Sequence, residues 1–169
     1  NFLVKLRVDN EISEMQRLLL TARNMAINTG RNTTVCPLSS SGACTNNWQN
    51  EISVFTNNAN TLANGVNFSA STTTTDADGN SNTVINDELI KVKEAINSGD
   101  RLQSTQTSVI YTPSGRILTA AATFSYCPQG KDDSSRGIVV AVSGRSYTSS
   151  DTDNDDKDED RNGNDIVCS

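Results

Sequence analysis

The sequence contains no histidine. That absence removes Ser-His and Cys-His activation of a nucleophile and every His-ligated zinc site. Long apolar runs are missing too, since the densest clusters, Leu18 to Leu20 and Ile138 to Val142, fall far short of the roughly 18 residues a membrane-spanning helix needs. Aromatic residues make up 5% and apolar residues 34% of the 169 positions. A chain of this length fits one domain with one core. Its wealth of Asn, Ser and Thr suits short strands with polar connections better than packed helices. The acid-base groups that remain are carboxylates crowded into the C-terminal segment, so no enzymatic role is expected.

What charge there is lies unevenly. Asp151 to Ser169 holds eight acids against Lys157 and Arg161, and the whole net charge of -6 resides there. Everything before it balances at 12 acids and 12 bases. Such a chain has no global attraction for phosphate, and a nucleic-acid site would need a local basic patch acting against a repelling tail.

The four cysteines, Cys36, Cys44, Cys127 and Cys168, are spaced like neither a zinc knuckle nor a redox Cys-x-x-Cys pair. An even number at wide spacing predicts two disulfides in an oxidising compartment. Three pairings are formally open. Cys36 and Cys44 flank a short Ser and Gly loop whose closure orders little chain, and this leaves Cys127 to hold Cys168. In the chain-entropy treatment the two loops stabilise the fold by about 3 and about 4 kcal/mol.

Apolar residues at Val4, Val8, Ile12, Met15, Leu19, Ala22 and Ala26 recur at steps of three and four, which predicts one buried stripe of an α-helix over residues 1–27. Glu11, Glu14 and Arg17 fall on the solvent side, and Asn28-Thr29-Gly30 is a C-terminal stop. Beyond it, β-branched or alternating runs predict strands at Glu51 to Thr56, Ile90 to Ala95, Ser108 to Thr112, Ile117 to Tyr126 and Gly137 to Arg145. Pro113-Ser114-Gly115-Arg116 reads as a tight turn of an antiparallel hairpin. Residues 57–86 are so poor in apolar side chains that they read as a long surface loop anchored by Val66 and Phe68. The expected class is α+β, a helix packed on antiparallel sheet, with a β domain at 28–150 and an acidic, disulfide-anchored tail at 151–169.

Several segments taken in order resemble the GspH and FimT family of minor pilins and pseudopilins. They are Leu19 to Ile27, Thr34-Val35-Cys36-Pro37, Cys44 with Trp48, Val54-Phe55, Tyr111 to Arg116, Phe124 to Cys127, Arg136 to Val140 and Ser143-Gly144-Arg145. The resemblance implies a pilin-like fold whose helix has a hydrophobic first half upstream of Asn1, which anchors the precursor in the inner membrane facing the periplasm. It further implies partners among other minor pilins and the major pilin, and a final location in an extracellular filament or its tip. Family members implicated in DNA uptake resemble one another in a Gly-Arg-x-Arg pattern. Here Gly144-Arg145-Ser146-Tyr147 retains one arginine, so DNA is the alternative partner rather than the favoured one.

Two further clusters carry chemistry. Asp151, Asp153 and Asp155 place carboxylates at alternate positions, a pattern that Ca²⁺ accepts and that resembles acidic calcium loops. Asp156 stands at the sixth position, where such loops have Gly, and Asn162 at the twelfth, where they have a bidentate Glu. A solvated acidic tail is the competing expectation, and calcium is the one cofactor considered. Arg116, Lys131, Arg136 and Arg145 form a basic cluster if the last two strands bring them together, with Tyr126 or Tyr147 beside them for base stacking.

Overall fold

The computed structural model describes residues 2–57, 68, 71–85 and 87–168. Helix α1 (Phe2–Thr29) is followed by β1 (Thr33–Cys36), β2 (Ile52–Thr56), β3 (Ser71–Thr75), β4 (Ser81–Ile85), β5 (Glu88–Lys93), β6 (Arg101–Ser104), β7 (Val109–Tyr111), β8 (Ala122–Cys127), β9 (Arg136–Val140) and β10 (Ser146–Thr148). One antiparallel sheet has the order β5-β2-β1-β7, a second the order β10-β9-β8-β6, and β3 pairs with β4 as a separate hairpin. The fold is α+β, with one helix packed against both four-stranded sheets.

The helix forms because its apolar spacing matches 3.6 residues per turn and its sequence is free of Pro and Gly until Gly30. There the chain turns into the left-handed region, φ +68°, and the Gly30 N–H donates to the Ala26 carbonyl at 3.1 Å. Val8, Ile12, Met15, Leu19, Ala22 and Ala26 are buried, as the spacing predicts, and Leu18 joins them from the flank of the stripe. Val4 is half-buried against the same core. Arg17 is exposed, but Glu11 and Glu14 depart from expectation in being half-buried, and the Lys93 ammonium, itself 2% exposed, donates to the Glu11 Oε2 at 2.7 Å. Trp48 is fully buried, edge-on to Phe124 with ring centroids 4.8 Å apart, and its indole N–H donates to the Gln106 carbonyl.

The stretch read as one long loop contains β3 and β4. Cross-strand Thr73 and Thr83 are in register with their hydroxyls 2.9 Å apart. Asp76 closes the turn by accepting from the Asp78 and Asn80 N–H groups. Thr pairs and a side-chain-closed turn build a polar hairpin whose residues 73–83 are all exposed, which an apolar-content argument overlooks. Phe68 does anchor this region, edge-on to Phe55, while Val66 lies outside the described residues.

Other strand boundaries shift for local reasons. Ile117 makes a single bridge to Tyr111, so the Pro113 to Arg116 turn exists, but the strand proper begins at Ala122. The run from Gly137 to Arg145 splits into β9 and a turn at Gly144, φ +88°, before β10 returns antiparallel. Strands β1 and β6 lie outside the runs that the pattern predicts, and each is held by its neighbours' ladders rather than by its own apolar spacing.

Candidate functional site

Cys36 bonds Cys44 and Cys127 bonds Cys168. The first bridge ties the end of β1 to the loop that carries Trp48. The second fastens the C-terminal segment to the end of β8, 41 residues upstream. No described cysteine is free.

The acidic segment is folded onto the domain. Asp158 lies 2.8 Å from the Arg136 guanidinium and also accepts the Ser149 hydroxyl at 2.6 Å. Ile166 packs against Gly137, where a Cβ would lie 2.8 Å from both its Cδ1 and the fixed Phe124 carbonyl, so no side chain fits there. Arg161 stacks 3.6 Å above the Tyr147 ring. Ser150 and Glu159 exchange backbone hydrogen bonds of 3.2 and 2.9 Å, closing the loop between them at its base. Within that loop, Asp151, Asp153, Asp155 and Glu159 each offer a carboxylate oxygen within 4.8 Å of the others. The three Asp are exposed and Glu159 is buried. Asp151 accepts the N–H groups of Asn154 and Asp156 at 2.7 and 3.0 Å. Asn154 and Asp156 hold φ of +64° and +70°, a conformation Asn and Asp tolerate better than other L-residues. Local desolvation and the charges of Asp155, Glu159 and Asp151 push the Asp153 carboxyl above its ordinary value.

Glu159 is the member that the sequence reading left outside the ligand set of Asp151, Asp153 and Asp155. Attention to positions one, three and five of the loop leaves out position nine, which also supplies a ligand in calcium loops. That ninth-position carboxylate was the signal that could have found it.

The four basic candidates do not converge. The last two strands pair, yet Arg136 opens β9 and Arg145 follows the turn beyond it, so the strand's length separates them. Arg136 is committed to Asp9, Asp158 and the Ser149 carbonyl. Lys131 sits at the Arg136 end, in the turn leading to Asp132, which pairs with Arg101. Tyr126 is buried and donates to Asp100, which removes it as a stacking platform. Arg116 and Arg145 instead follow the glycines of two Ser-Gly-Arg turns whose backbones touch. Gly144 approaches the Gly115 carbonyl so closely that a Cβ would overlap it, and both glycines have positive φ. Arg23 of α1 donates to the same Gly115 carbonyl at 2.9 Å. Arg116 and Arg145 are exposed there and make no salt bridge among the described residues.

The family model described as type II transport protein GspH matches residues 11–144, from within α1 to Gly144 in the second Ser-Gly-Arg turn. The chain belongs to the GspH family of minor pilins and pseudopilins. Among solved structures, the type IV minor pilin FimU of Pseudomonas aeruginosa is similar in fold in two crystal forms. In the first, the TM-score is 0.58 at 16% identity, over 87% of this chain and 91% of FimU. In the second, it is 0.53 at 16% identity, over 80% and 87%. The minor pseudopilin EpsH of Vibrio cholerae aligns with a TM-score of 0.49 at 12% identity, over 84% of this chain and 95% of EpsH. No curated protein sequence matches the chain. The GspH match takes in Cys36, Cys44 and Cys127, while Arg145, the acidic loop and Cys168 lie beyond its end.

Proposed function

We propose that this GspH-family protein is a minor pilin of a type IV pilus, built into the tip or initiation complex from which the filament polymerises. The observation that carries the reading is the outward face of α1. Leu6, Leu20 and Ile27 are 44–47% exposed, and Phe2 and Leu3 at the helix start are 75% and 69% exposed. Leu20 and Ile27 are seven residues apart, and Leu6 lies fourteen before Leu20, so the three share one side of the helix, away from the buried stripe. An apolar ridge on a helix whose other face is already covered by its own sheets suits packing against helices of neighbouring subunits. No described helix is long and apolar enough to cross a membrane. The inner-membrane stage therefore rests on family membership, with the β domain facing the periplasm, where two disulfides are at home. The work is assembly, and no covalent chemistry is required.

Leu20→Glu tests this. In the purified domain the melting temperature should stay within about 2 °C of wild type, because an exposed site tolerates charge. In cells carrying the full-length protein, surface pili should fall at least about tenfold, since 1.4 kcal/mol of lost contact suffices for that. Normal piliation would refute the helix-face reading. Intact pili with impaired protein export would move the subunit to a type II secretion pseudopilus.

The exposed Arg116 and Arg145 favour a second reading, a tip that captures DNA. Charge opposes it, because all of the net -6 lies in the tail beside a neutral domain. Duplex DNA should therefore bind more weakly than about 1 µM near physiological salt. Tighter, steeply salt-dependent binding that Arg145→Ala abolishes would replace assembly with DNA capture as the main role.

A further inference from the structure

We propose that Asp151, Asp153, Asp155 and Glu159 form a binding site for a divalent cation of the calcium class. Alternate carboxylates alone describe any acidic strip, and three exposed Asp need no ion. Glu159 is the independent observation. It is 2% exposed, and its Oε2 accepts both the N–H and the hydroxyl of Thr152 at 2.6 Å each. Its Oε1 is buried without any hydrogen-bond partner among the described residues. An ionised carboxylate oxygen taken out of water without a donor is a costly arrangement that proteins rarely keep. Here that carboxylate is drawn in beside three others, which makes the arrangement worse unless a cation completes it.

The dimensions suit calcium. Oxygens on opposite sides of a Ca²⁺ ion, each at about 2.4 Å, stand at most about 4.8 Å apart, and the four groups present oxygens within 4.8 Å of one another. The donors are all oxygen, in a chain without histidine and without a described free thiol, a set that hard cations prefer over zinc or copper. Magnesium demands a near-ideal octahedron and gives up its water reluctantly, whereas calcium accepts irregular groups of six to eight oxygens. Carboxylates at positions one, three, five and nine supply four of these, leaving the others to backbone carbonyls and water. Position nine, provided here by a buried Glu, stands in for the bidentate Glu that position twelve lacks. Asp158 is not needed for the ion, being neutralised by Arg136.

The site also has a mechanical place. Its loop is closed at Ser150 and Glu159, joined through Asp158 to Arg136 at the start of β9, and followed by Cys168, which is bonded to Cys127 at the end of β8. Calcium there braces the C-terminal segment against the second sheet in the calcium-rich medium outside the cell.

Calorimetric titration of the metal-stripped protein with CaCl₂ decides the matter. The expected result is saturable heat at a single equivalent, with a Kd of about 0.1–1 mM, the range of extracellular calcium modules. MgCl₂ should bind at least about tenfold more weakly. About 10 mM CaCl₂ should raise the melting temperature by at least about 3 °C. Glu159→Gln and Asp153→Asn should each abolish the saturable heat and the melting shift. If Glu159→Gln fails to fold, the exposed Asp153→Asn is the deciding variant. Heat that never saturates up to about 10 mM CaCl₂, or saturable binding that survives in the folded variants, overturns the site. Equal affinity for MgCl₂ overturns the calcium assignment.

Discussion

Asp100→Ala is expected to remove about 3–5 kcal/mol of folding stability, the largest effect of any substitution considered for this domain. Asp100 is 5% exposed, and four donors converge on its carboxylate. The Arg7 guanidinium approaches at 2.9 and 3.2 Å, the Tyr126 hydroxyl at 2.6 Å and the Gln129 N–H at 2.9 Å. One side chain thus joins α1, the turn before β6, β8 and the loop after it. Truncation leaves the buried Tyr126 hydroxyl without its acceptor, at a cost of about 1–3 kcal/mol, and also takes the acceptor from the N–H of the exposed Gln129. Arg7 adds less, because it is partly exposed and water takes over its solvation. Chemical denaturation measures the difference, and a loss below about 1 kcal/mol would show that the hub is dispensable.

The same residue predicts acid sensitivity. Burial pushes the Asp100 carboxyl upward, but hydrogen bonds from Tyr126, Gln129 and Arg7, with the Arg7 charge, outweigh it and hold the pKa below the ordinary carboxylate value. A depressed folded-state pKa means stability that is fully present above the unfolded value, near about 3.9, and lost as pH falls through the folded one. Wild type and Asp100→Asn should therefore differ most near neutrality and converge as the pH falls through the depressed folded-state pKa of Asp100. Burial, followed by the hydrogen bond to Asp100, pushes the Tyr126 phenol far up, so it stays a donor throughout this range.

Leu19→Ala should cost about 2–5 kcal/mol, the range for emptying a packed core site. Leu19 is 0% exposed on the helix stripe, with Met15, Leu18 and Ala22 buried around it. For a domain of this size the melting temperature should drop by at least about 4 °C. A drop of less than about 2 °C would mean that the neighbours collapse into the space or that the stripe is not core. Leu20→Glu, one position along on the outer face, is the internal control, since it should barely move the melting point.

The helix stripe was legible in the sequence because helical periodicity is local. Val8, Ile12, Met15, Leu19, Ala22 and Ala26 need only 3.6 residues per turn to share a face, whatever they pack against. Missing histidine, an even cysteine count and charge gathered after Asp151 are matters of counting, and with the ordered family motifs they pointed to a pilin-like α+β subunit before any coordinate. Tertiary structure decided the rest, because convergence depends on which way strands run and where turns fall. Arg136 and Arg145 looked like neighbours, yet a strand and a turn place them at opposite ends. Asp100 reads as one more polar residue after Gly99, and only packing brings Arg7 to it across 93 positions. Glu159 looked like one acid among eight, yet in the fold it is bridged to Ser150 and buried, with no donor to Oε1 among the described residues. Pattern and count describe the chain along its own length, whereas a site is made by groups from distant positions whose mutual distance is set by folding alone.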